Sequence, residues 1–275
     1  MAITHFQRTV WSAKIQTALE TTTGLKNHSD YEYEGEIKGA KEVKILGVQR
    51  PTISTYVPGT KLTREQGTDN SQILKIDQFR YFNFDVEDID QAQSQKGLLA
   101  TLTAEAGKGL AEEADKYIAK VVKDAVDAGE VQASASAVNV TKTNAIATLE
   151  EALTVLYANN VKTNEELYYE VTPKVFSLMR QSMTELATTN VEMIKKGAVG
   201  KYGNALICID NNLPEFDDKS KGMFLRTKKA VAYAGQIEST EAYRPEDSFS
   251  DAVKGLFVFG AKVVRPEQIY VVKVA

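Results

Sequence analysis

The side chains best suited to nucleophilic chemistry are two histidines, His5 and His28, and a single cysteine, Cys208. A catalytic cysteine needs a neighbouring base or positive charge that keeps its thiol ionised. Cys208 lies instead in the apolar stretch "NALICID", which favours a buried structural thiol. Both histidines lie near the N-terminus, with no serine or cysteine nucleophile beside them in a recognisable motif. These residues predict no nucleophilic site.

An acidic cluster of Asp85, Glu87, Asp88 and Asp90 could bind a metal or precede a helix. The cluster lacks the glycine and the ligand spacing of a calcium loop. It also comes just before a long helical stretch, where carboxylates are favoured by the positive end of the helix dipole. We therefore interpret it as a helix start. The single cysteine excludes an internal disulfide and any multi-cysteine metal site.

The glycine-rich segments complete no nucleotide-binding motif. "AGKGLA" lacks the full phosphate-loop pattern, and the glycines of "GAVGKYG" have the wrong spacing for a dinucleotide site. The G-x-S-x-G, H-E-x-x-H and C-x-x-C patterns are absent. We predict no cofactor, no metal and no catalytic residue, although a carboxylate pair among 37 acidic residues stays an alternative.

The composition is that of an ordinary globular protein, with 43% hydrophobic and 25% charged residues. A net charge of −4 disfavours a basic surface for binding nucleic acid. The N-terminus lacks the basic start and apolar run of a signal peptide, and no window approaches the ~18–20 apolar residues of a membrane span. We expect a soluble protein that is made inside the cell and does not contact a membrane.

The N-terminal segments predict an arm that extends from the body of the protein. Phe6, Trp11, Ile15 and Leu19 have helical spacing and predict a short amphipathic helix. The stretch that follows, "TTTGLKNHSD", is rich in breakers, so we interpret the region as an arm rather than part of a compact layer. The helix could dock on its own subunit or on a neighbour, and its position in the sequence does not separate these alternatives.

The next region predicts a long projecting hairpin. "EVKILGV" and "SQILKIDQF" are both typical of strands, and about twenty residues without helical period or core lie between them. A loop of that length inside a compact domain usually has a binding role. A hairpin cannot bury itself alone. We therefore expect it to be stabilised by something outside its own subunit.

A long helix and a mixed unit make up the rest of the body. Alternating Phe82, Phe84 and Val86 predict a half-buried strand, and helical periodicity then runs from about Asp88 to Asp127, with a kink or break expected near residues 107–109. Residues 131–250 predict an α+β unit. Within it, 144–160 is helical, "ELYYEVTP" is a strand, and Thr172 caps a helix that begins at Pro173. "NALICID" and "MFLRTKKAVAYAG" each predict one strand. Apolar strands follow to the end of the sequence.

Together these segments resemble the major capsid (coat) proteins of tailed bacteriophages, which share the Hong-Kong-97-type fold. The strongest likeness is "YRPEDSFSDAVKGLFVFGAKVVRPEQIYVV" (243–272), followed by "ILKIDQFRYFNFDVEDIDQAQSQ" (73–95). "YYEVTPKVFSLM" and "YGNALICIDNNLP" are supporting matches. Each piece is a loose pattern, and the likeness covers nearly the whole chain in the correct order.

The resemblance implies an α+β phage capsid fold in five parts. These are an N-terminal arm (1–35), an extended E-loop hairpin (36–80), a P-domain with a long spine helix (81–130), a mixed α/β A-domain (131–250) and C-terminal strands (251–275) that return to the P-domain sheet. The closing strands would then pair with the strands flanking the E-loop and pack under the spine helix. Gly255 and Gly260 would allow sharp bends or close backbone approach.

The function implied is structural: a non-enzymatic subunit that assembles with copies of itself into hexamers and pentamers of an icosahedral shell around phage double-stranded DNA. A separate scaffolding protein and a portal are expected partners, and DNA is held by enclosure without sequence-specific binding. The virion capsid is the expected location, after synthesis in the host bacterial cytoplasm. The alternatives are an encapsulin-like compartment shell and a soluble α+β enzyme with a cryptic site. The hypothetical assembly contacts are Trp11, Ile15, Tyr56, Pro58, Lys61 and Arg64.

Overall fold

The computed structural model has an α+β fold, as predicted, with strands in three sheets and three α-helices among the residues it describes. Two short 3-10 helices, Lys228–Ala230 and Pro266–Gln268, lie between strands. The structure describes residues 24–32, 42–45, 71–87, 98–182, 198–216, 219–246 and 250–275.

One sheet has three antiparallel strands in the order β3–β10–β9. These are β3 (Gln78–Glu87), β9 (Val231–Tyr243) and β10 (Ser250–Val263). A register shift between Leu256 and Phe257 marks a bulge against β9. Because side chains alternate along a strand, the central strand β10 contributes apolar side chains to both faces of the sheet.

The other large sheet has six strands in the order β4–β11–β8–β5–β7–β6. The β5–β7 and β4–β11 pairs are parallel, and the other pairs are antiparallel. All five residues of β5 are buried, as expected for an inner strand covered on both faces. The six strands are β4 (Gln132–Ala133), β5 (Leu167–Val171), β6 (Ala198–Tyr202), β7 (Ala205–Ile209), β8 (Lys221–Thr227) and β11 (Ile269–Val274).

The long helix α1 (Leu98–Asp127) packs against β10 and joins the main apolar core. Its 30 residues span about 45 Å. The ring of Tyr117 meets the ring of Phe259 edge-on, with centroids 5.5 Å apart. A strand from the end of the chain thus lies beneath this helix.

The break expected near residues 107–109 does not occur. The buried side of the helix, which includes Ala111, Ala114 and Ile118, is held by the core over the following turns and offsets the roughly 1 kcal/mol that each glycine costs. The helix start expected for the acidic cluster is wrong for the two members that the structure describes. Asp85 and Glu87 belong to β3, the first turn of α1 contains no acidic residue, and Asp88 and Asp90 lie outside the described residues.

The predicted hairpin has a defined base. Strands β1 (Glu42–Ile45) and β2 (Gln72–Lys75) pair antiparallel, with Glu42 opposite Lys75. The single strand predicted over 71–79 is two strands, since β2 ends at Lys75 and β3 begins at Gln78 in another sheet. We call β1 and β2 the hairpin base.

The helices of the mixed unit lie where the sequence predicts them. Helix α2 (Ala145–Ala158) buries one apolar side, and α3 (Pro173–Ser182) follows Thr172. The Thr172 hydroxyl accepts a hydrogen bond from the Val175 amide at 3.4 Å, the geometry of an N-cap. The local signals, a capping threonine followed by proline, determine this helix start without help from distant residues.

The strand predicted over 223–235 is divided between the two large sheets. Strand β8 ends at Thr227, the 3-10 turn Lys228–Ala230 follows, and β9 begins in the other sheet. The closing strands are divided in the same way. Strand β10 pairs with β3, which follows the hairpin base, whereas β11 pairs with β8 and β4 in the six-stranded sheet. Only the first of them therefore joins the three-stranded sheet.

Candidate assembly surfaces and a buried polar cluster

The residues predicted from the sequence to make assembly contacts all lie outside the described residues. Their contacts stay a prediction. The described residues do include the places where the hairpin and the N-terminal region join the body, and these places are well defined. The predicted contact residues are Trp11, Ile15, Tyr56, Pro58, Lys61 and Arg64.

The hairpin base is fixed to the face of the three-stranded sheet opposite α1. Its buried side chains share a core with residues of β9 and β10. The Lys262 ammonium donates a hydrogen bond to the Ile73 carbonyl at 3.2 Å, and Gly260 lies against the backbone of Lys75. The base is therefore held rigidly. The shared core consists of Val43, Ile45, Leu74, Ile76, Ala232, Ala234 and Val258.

Beyond the hairpin base, the same face of the sheet is open and aromatic. Tyr81 is 79% exposed, Phe79 55% and Tyr243 38%. We call these three residues the aromatic face. The Tyr243 hydroxyl donates to Asn83 Oδ1 at 3.1 Å, and the Lys254 ammonium lies over the Tyr243 ring, 5.2 Å from its centroid. Large aromatic side chains held on a sheet at this exposure are typical of protein–protein contacts.

The segment Gly24–Glu32, expected to belong to a free arm, is packed into the body instead. Leu25 and Ser29 are fully buried. The amide of Asp30 donates to the Val231 carbonyl at 2.8 Å, and the Tyr233 amide donates to the Asp30 carbonyl at 2.9 Å. Because its backbone polar groups find partners on β9 and in the core, the breaker-rich composition does not make it loose. We call Gly24–Glu32 the strap.

Arg226 of β8 holds the middle of the strap. Its guanidinium is fully buried and binds both oxygens of Glu170 in β5, at 3.0 and 2.7 Å. The same group donates to the carbonyls of Leu25 and His28 at 2.9 and 2.8 Å. A two-pronged guanidinium–carboxylate pair with further carbonyl acceptors satisfies most of the donors of a buried arginine. The Arg226 side chain thus anchors the strap to the six-stranded sheet.

The Glu170 carboxylate is the negative half of this cluster. Burial alone would raise its pKa, but the charge of Arg226 and hydrogen bonds from His28 and Arg226 outweigh it and hold the pKa below its ordinary value of 4.5. His28 Nδ1 lies 3.1 Å from Glu170 Oε1, and the imidazole stacks on the Tyr168 ring with the two ring centroids 4.2 Å apart. Glu170 therefore stays ionised while fully buried.

Cys208 and His28 are neighbours in space although 180 residues separate them. Cys208 Sγ lies 3.8 Å from His28 Nε2, so a thiol, an imidazole and the Glu170 carboxylate follow one another as in a catalytic triad. Burial raises the pKa of the thiol far above its ordinary value, and all three side chains are buried. A protonated thiol without access to substrate is a packing group, which agrees with the structural role predicted for Cys208.

Asp115 of α1 holds the first residues of the strap. Its carboxyl oxygens accept the amides of Gly24 and Lys26 at 2.9 and 2.8 Å. Asp210, which follows β7, contacts Gly24 from another side: a Cβ at Gly24 would lie 2.8 Å from Asp210 Oδ2. Two acidic side chains from different elements therefore enclose one glycine of the strap.

Sequence reasoning missed this cluster. Glu170 lies within "LYYEV" and Arg226 within "FLRT", each a single charge inside an apolar strand. A charge in such a position is almost never buried unless it is paired, so the two strands together carried a usable signal. Asp115 carried none, because charged residues occur on every turn of its helix from Glu105 onwards.

The described residues contain no group of three or more histidine, cysteine, aspartate or glutamate side chains placed to hold a metal ion. Among the helices of those same ranges, none is long and apolar enough to cross a membrane.

A family model described as phage capsid protein matches residues 69–272, which is most of the chain. The chain belongs to the phage capsid protein family. The matched range includes β3, the long helix α1, β10 and all but the last two residues of β11. No curated protein sequence matches this capsid protein.

Solved structures agree with this membership. A chain of Mycobacterium phage Che8 is 30% identical, with a TM-score of 0.73 over 91% of this chain and 90% of that one. The capsid structure of cyanophage P-SCSP1u matches with 18% identity and a TM-score of 0.67, covering 87% and 85% of the two chains. A virus-like particle from Pyrococcus furiosus matches with 11% identity and a TM-score of 0.61, covering 97% of this chain and 99% of that one. At that identity, the likeness shows a shared fold alone.

This protein is therefore a structural major capsid protein of the tailed-phage type and not an enzyme. It self-assembles into a shell of capsomers and forms part of the virion capsid. The interpretation as an encapsulin-like compartment is weaker, because the family model that matches is that of a phage capsid protein.

Proposed function

We propose that the capsid protein forms hexamers and pentamers that close an icosahedral shell around phage double-stranded DNA. One observation carries the proposal: the hairpin base and the strap are both fixed rigidly to the body, so that the residues beyond them can be presented to neighbouring subunits. A shell of this kind requires one subunit to occupy several non-identical environments. A rigid body with anchored extensions meets that requirement.

In this proposal the predicted domains apply with several changes. Strand β9 (Val231–Tyr243), which lies inside the predicted A-domain range 131–250, belongs to the three-stranded sheet. The arm contains the residues before Gly24, because the strap belongs to the body. The hairpin is the E-loop, the three-stranded sheet with α1 is the P-domain, and the six-stranded sheet with its helices is the A-domain. The last strand, Ile269–Val274, is assigned to the A-domain because it pairs with β8.

The partners follow from the same proposal. Further copies of the chain contact the arm, the hairpin tip and the aromatic face. A separate scaffolding protein and a portal assist assembly in the cytoplasm of the host bacterium. The net charge of −4 fits DNA that is held by enclosure rather than by a basic binding surface.

Negative-stain electron microscopy and light scattering of the purified full-length protein test the proposal. Closed particles or ring-shaped capsomers are expected. A deletion of residues 50–70, replaced by a short glycine–serine linker, should give a folded subunit that forms no stable shell. Normal particles from this deletion would contradict the role given to the hairpin tip.

The arm has its own test in Trp11→Ala. If the arm docks on a neighbour, this substitution should weaken assembly more than it lowers the melting temperature of the subunit. Phe6→Ala changes another aromatic residue on the same predicted apolar side and should act in the same direction. A fall in melting temperature with unchanged assembly would place the arm helix on its own subunit.

A further inference from the structure

The strap is fastened at two chemically different points. At its centre, Arg226 and Glu170 form a fully buried pair of opposite charges. At its start, the carboxyl groups of Asp115 and Asp210 both contact Gly24, and among the described residues neither forms an ion pair with a cation. The first fastening is electrically balanced, whereas the second places two acidic groups around one glycine.

We propose that the start of the strap is a proton-controlled latch, closed while Asp115 carries a proton and loosened when Asp115 and Asp210 are both ionised. Closure excludes water from Asp115, which is 2% exposed. Opening would return water to the carboxylate and separate it from the backbone of Gly24 and Lys26. The centre of the strap, held by Arg226, remains in place in both states.

The charges around Asp115 come from each element packed against it. Asp210 follows β7, Glu170 lies in β5, Arg226 lies in β8, and the strap itself contributes Lys26 and His28. Arg226 is bound to Glu170. The Lys26 ammonium lies over the rings of Tyr31 and Tyr233, at 5.9 and 5.5 Å from their centroids.

These surroundings favour the neutral form of the carboxyl. The pKa of Asp115 is raised from 3.8 to about 7, chiefly by burial and next by the charge of Asp210, with a smaller contribution from Glu170, whereas the hydrogen bonds from the Gly24 and Lys26 amides act in the opposite direction. Burial also raises the pKa of Asp210. Two interacting carboxyl groups in a buried site titrate as a pair, and one of them keeps its proton to higher pH.

The sign of the effect follows from proton linkage. The pKa of Asp115 is higher in the closed state, at about 7, than the ordinary 3.8 of an exposed aspartate, so closure takes up a proton between these values. A group of this kind stabilises the closed state fully below about pH 4, and the contribution is lost as the pH rises through about 7. The latch therefore weakens towards alkaline pH.

Opening would free only the first residue of the strap. The carbonyls of Leu25 and His28 both bind Arg226 and stay in place in the open state, so the groups released are Gly24 and the amide of Lys26. The latch is therefore a property of the subunit and does not depend on the proposed role of the arm.

Amide hydrogen exchange of the full-length subunit tests the latch without any assembly step. Protection of the Gly24 and Lys26 amides, corrected for intrinsic exchange, is measured at about pH 5.5 and about pH 8.5. We expect protection to fall at least about tenfold at the higher pH in the native protein, and to change little in Asp115→Asn, which cannot ionise. The Tyr233 amide, bonded to the Asp30 carbonyl, is the internal control and should stay protected.

Equal protection of Gly24 and Lys26 at both pH values, or the same loss in Asp115→Asn, would overturn the proposal. If Asp115→Asn does not fold, Asp210→Asn provides the second measurement. If Asp115 holds the proton, removing that neighbouring charge should move the loss of protection to lower pH, because the charge of Asp210 raises the pKa of Asp115. If Asp210 holds the proton, the loss of protection between the two pH values should disappear, because the titrating group has been removed. The shift to lower pH would support the assignment to Asp115, and the disappearance would refute it.

Discussion

Gly260 in β10 meets the backbone of Lys75 in β2 so closely that a Cβ on the glycine would lie 2.0 Å from the Lys75 carbonyl oxygen. The obstructing atom belongs to the backbone, so it cannot move aside by a change of rotamer. This contact joins the hairpin base to the central strand of the three-stranded sheet. Glycine is therefore required at position 260 for reasons of space.

Gly260→Ala should destabilise the subunit by about 1–3 kcal/mol, because the hairpin base must shift away from the sheet. Urea unfolding measures the change. Gly109→Ala is the matched control, since its Cβ would meet nothing within 4 Å and it lies within α1. That substitution should stabilise the protein by about 0.5–1 kcal/mol. Equal effects of the two substitutions would show that the close contact does not matter.

Arg226→Leu should lower the free energy of unfolding by about 3–5 kcal/mol, because it leaves the Glu170 charge buried without its partner. The double variant Arg226→Leu/Glu170→Leu should be less destabilised than the sum of the two single variants, as expected for residues in direct contact. Lys108→Ala, which removes an exposed pair with Glu105, is the control and should change stability by less than about 1 kcal/mol. Additive single effects would argue against a coupled pair.

Cys208 should resist thiol reagents in the native subunit, because burial raises the pKa of the thiol and closes access to it. Labelling with a chromogenic disulfide reagent should be complete in denaturant and negligible without it, even at mildly alkaline pH. The control is Lys162→Cys, which places a second cysteine at an exposed position that should be labelled rapidly. Rapid native labelling of Cys208 would mean that the core around the strap opens readily.

Tyr81→Ser should reduce assembly while leaving subunit stability within about 0.5 kcal/mol, because the tyrosine is 79% exposed in the subunit. Particle yield by light scattering is compared with the melting temperature of the same sample. Ile209→Ser is the control, as it removes an apolar side chain of 37% exposure from the six-stranded sheet. Loss of assembly in both variants, or in neither, would exclude the aromatic face as a specific contact.

Local patterns predicted the elements that depend on local physics. The helix start at Thr172 and Pro173 and the apolar strand around Cys208 were correct, because caps and strand patterns act over a few residues. The pairing of strands that are distant in the sequence was harder to predict. The division of 223–235 between two sheets depends on which strands lie alongside, and a continuous apolar run contains no mark of that choice.

The buried cluster illustrates the same limit. His28 was interpreted as part of an arm because its neighbours in sequence are breakers, yet its surroundings are set by Tyr168, Glu170 and Cys208 from a distant part of the chain. The likeness to capsid proteins provided the order of the elements. It did not indicate that the strap is part of the core.

The division of the last strands between two sheets has a consequence during synthesis. Strand β10 is the middle strand of one sheet, and β11 lies between β4 and β8 in the other. A polypeptide that has been synthesised only as far as residue 249 can complete neither sheet, so we expect the surfaces that contact other subunits to form only after both β10 and β11 have been added.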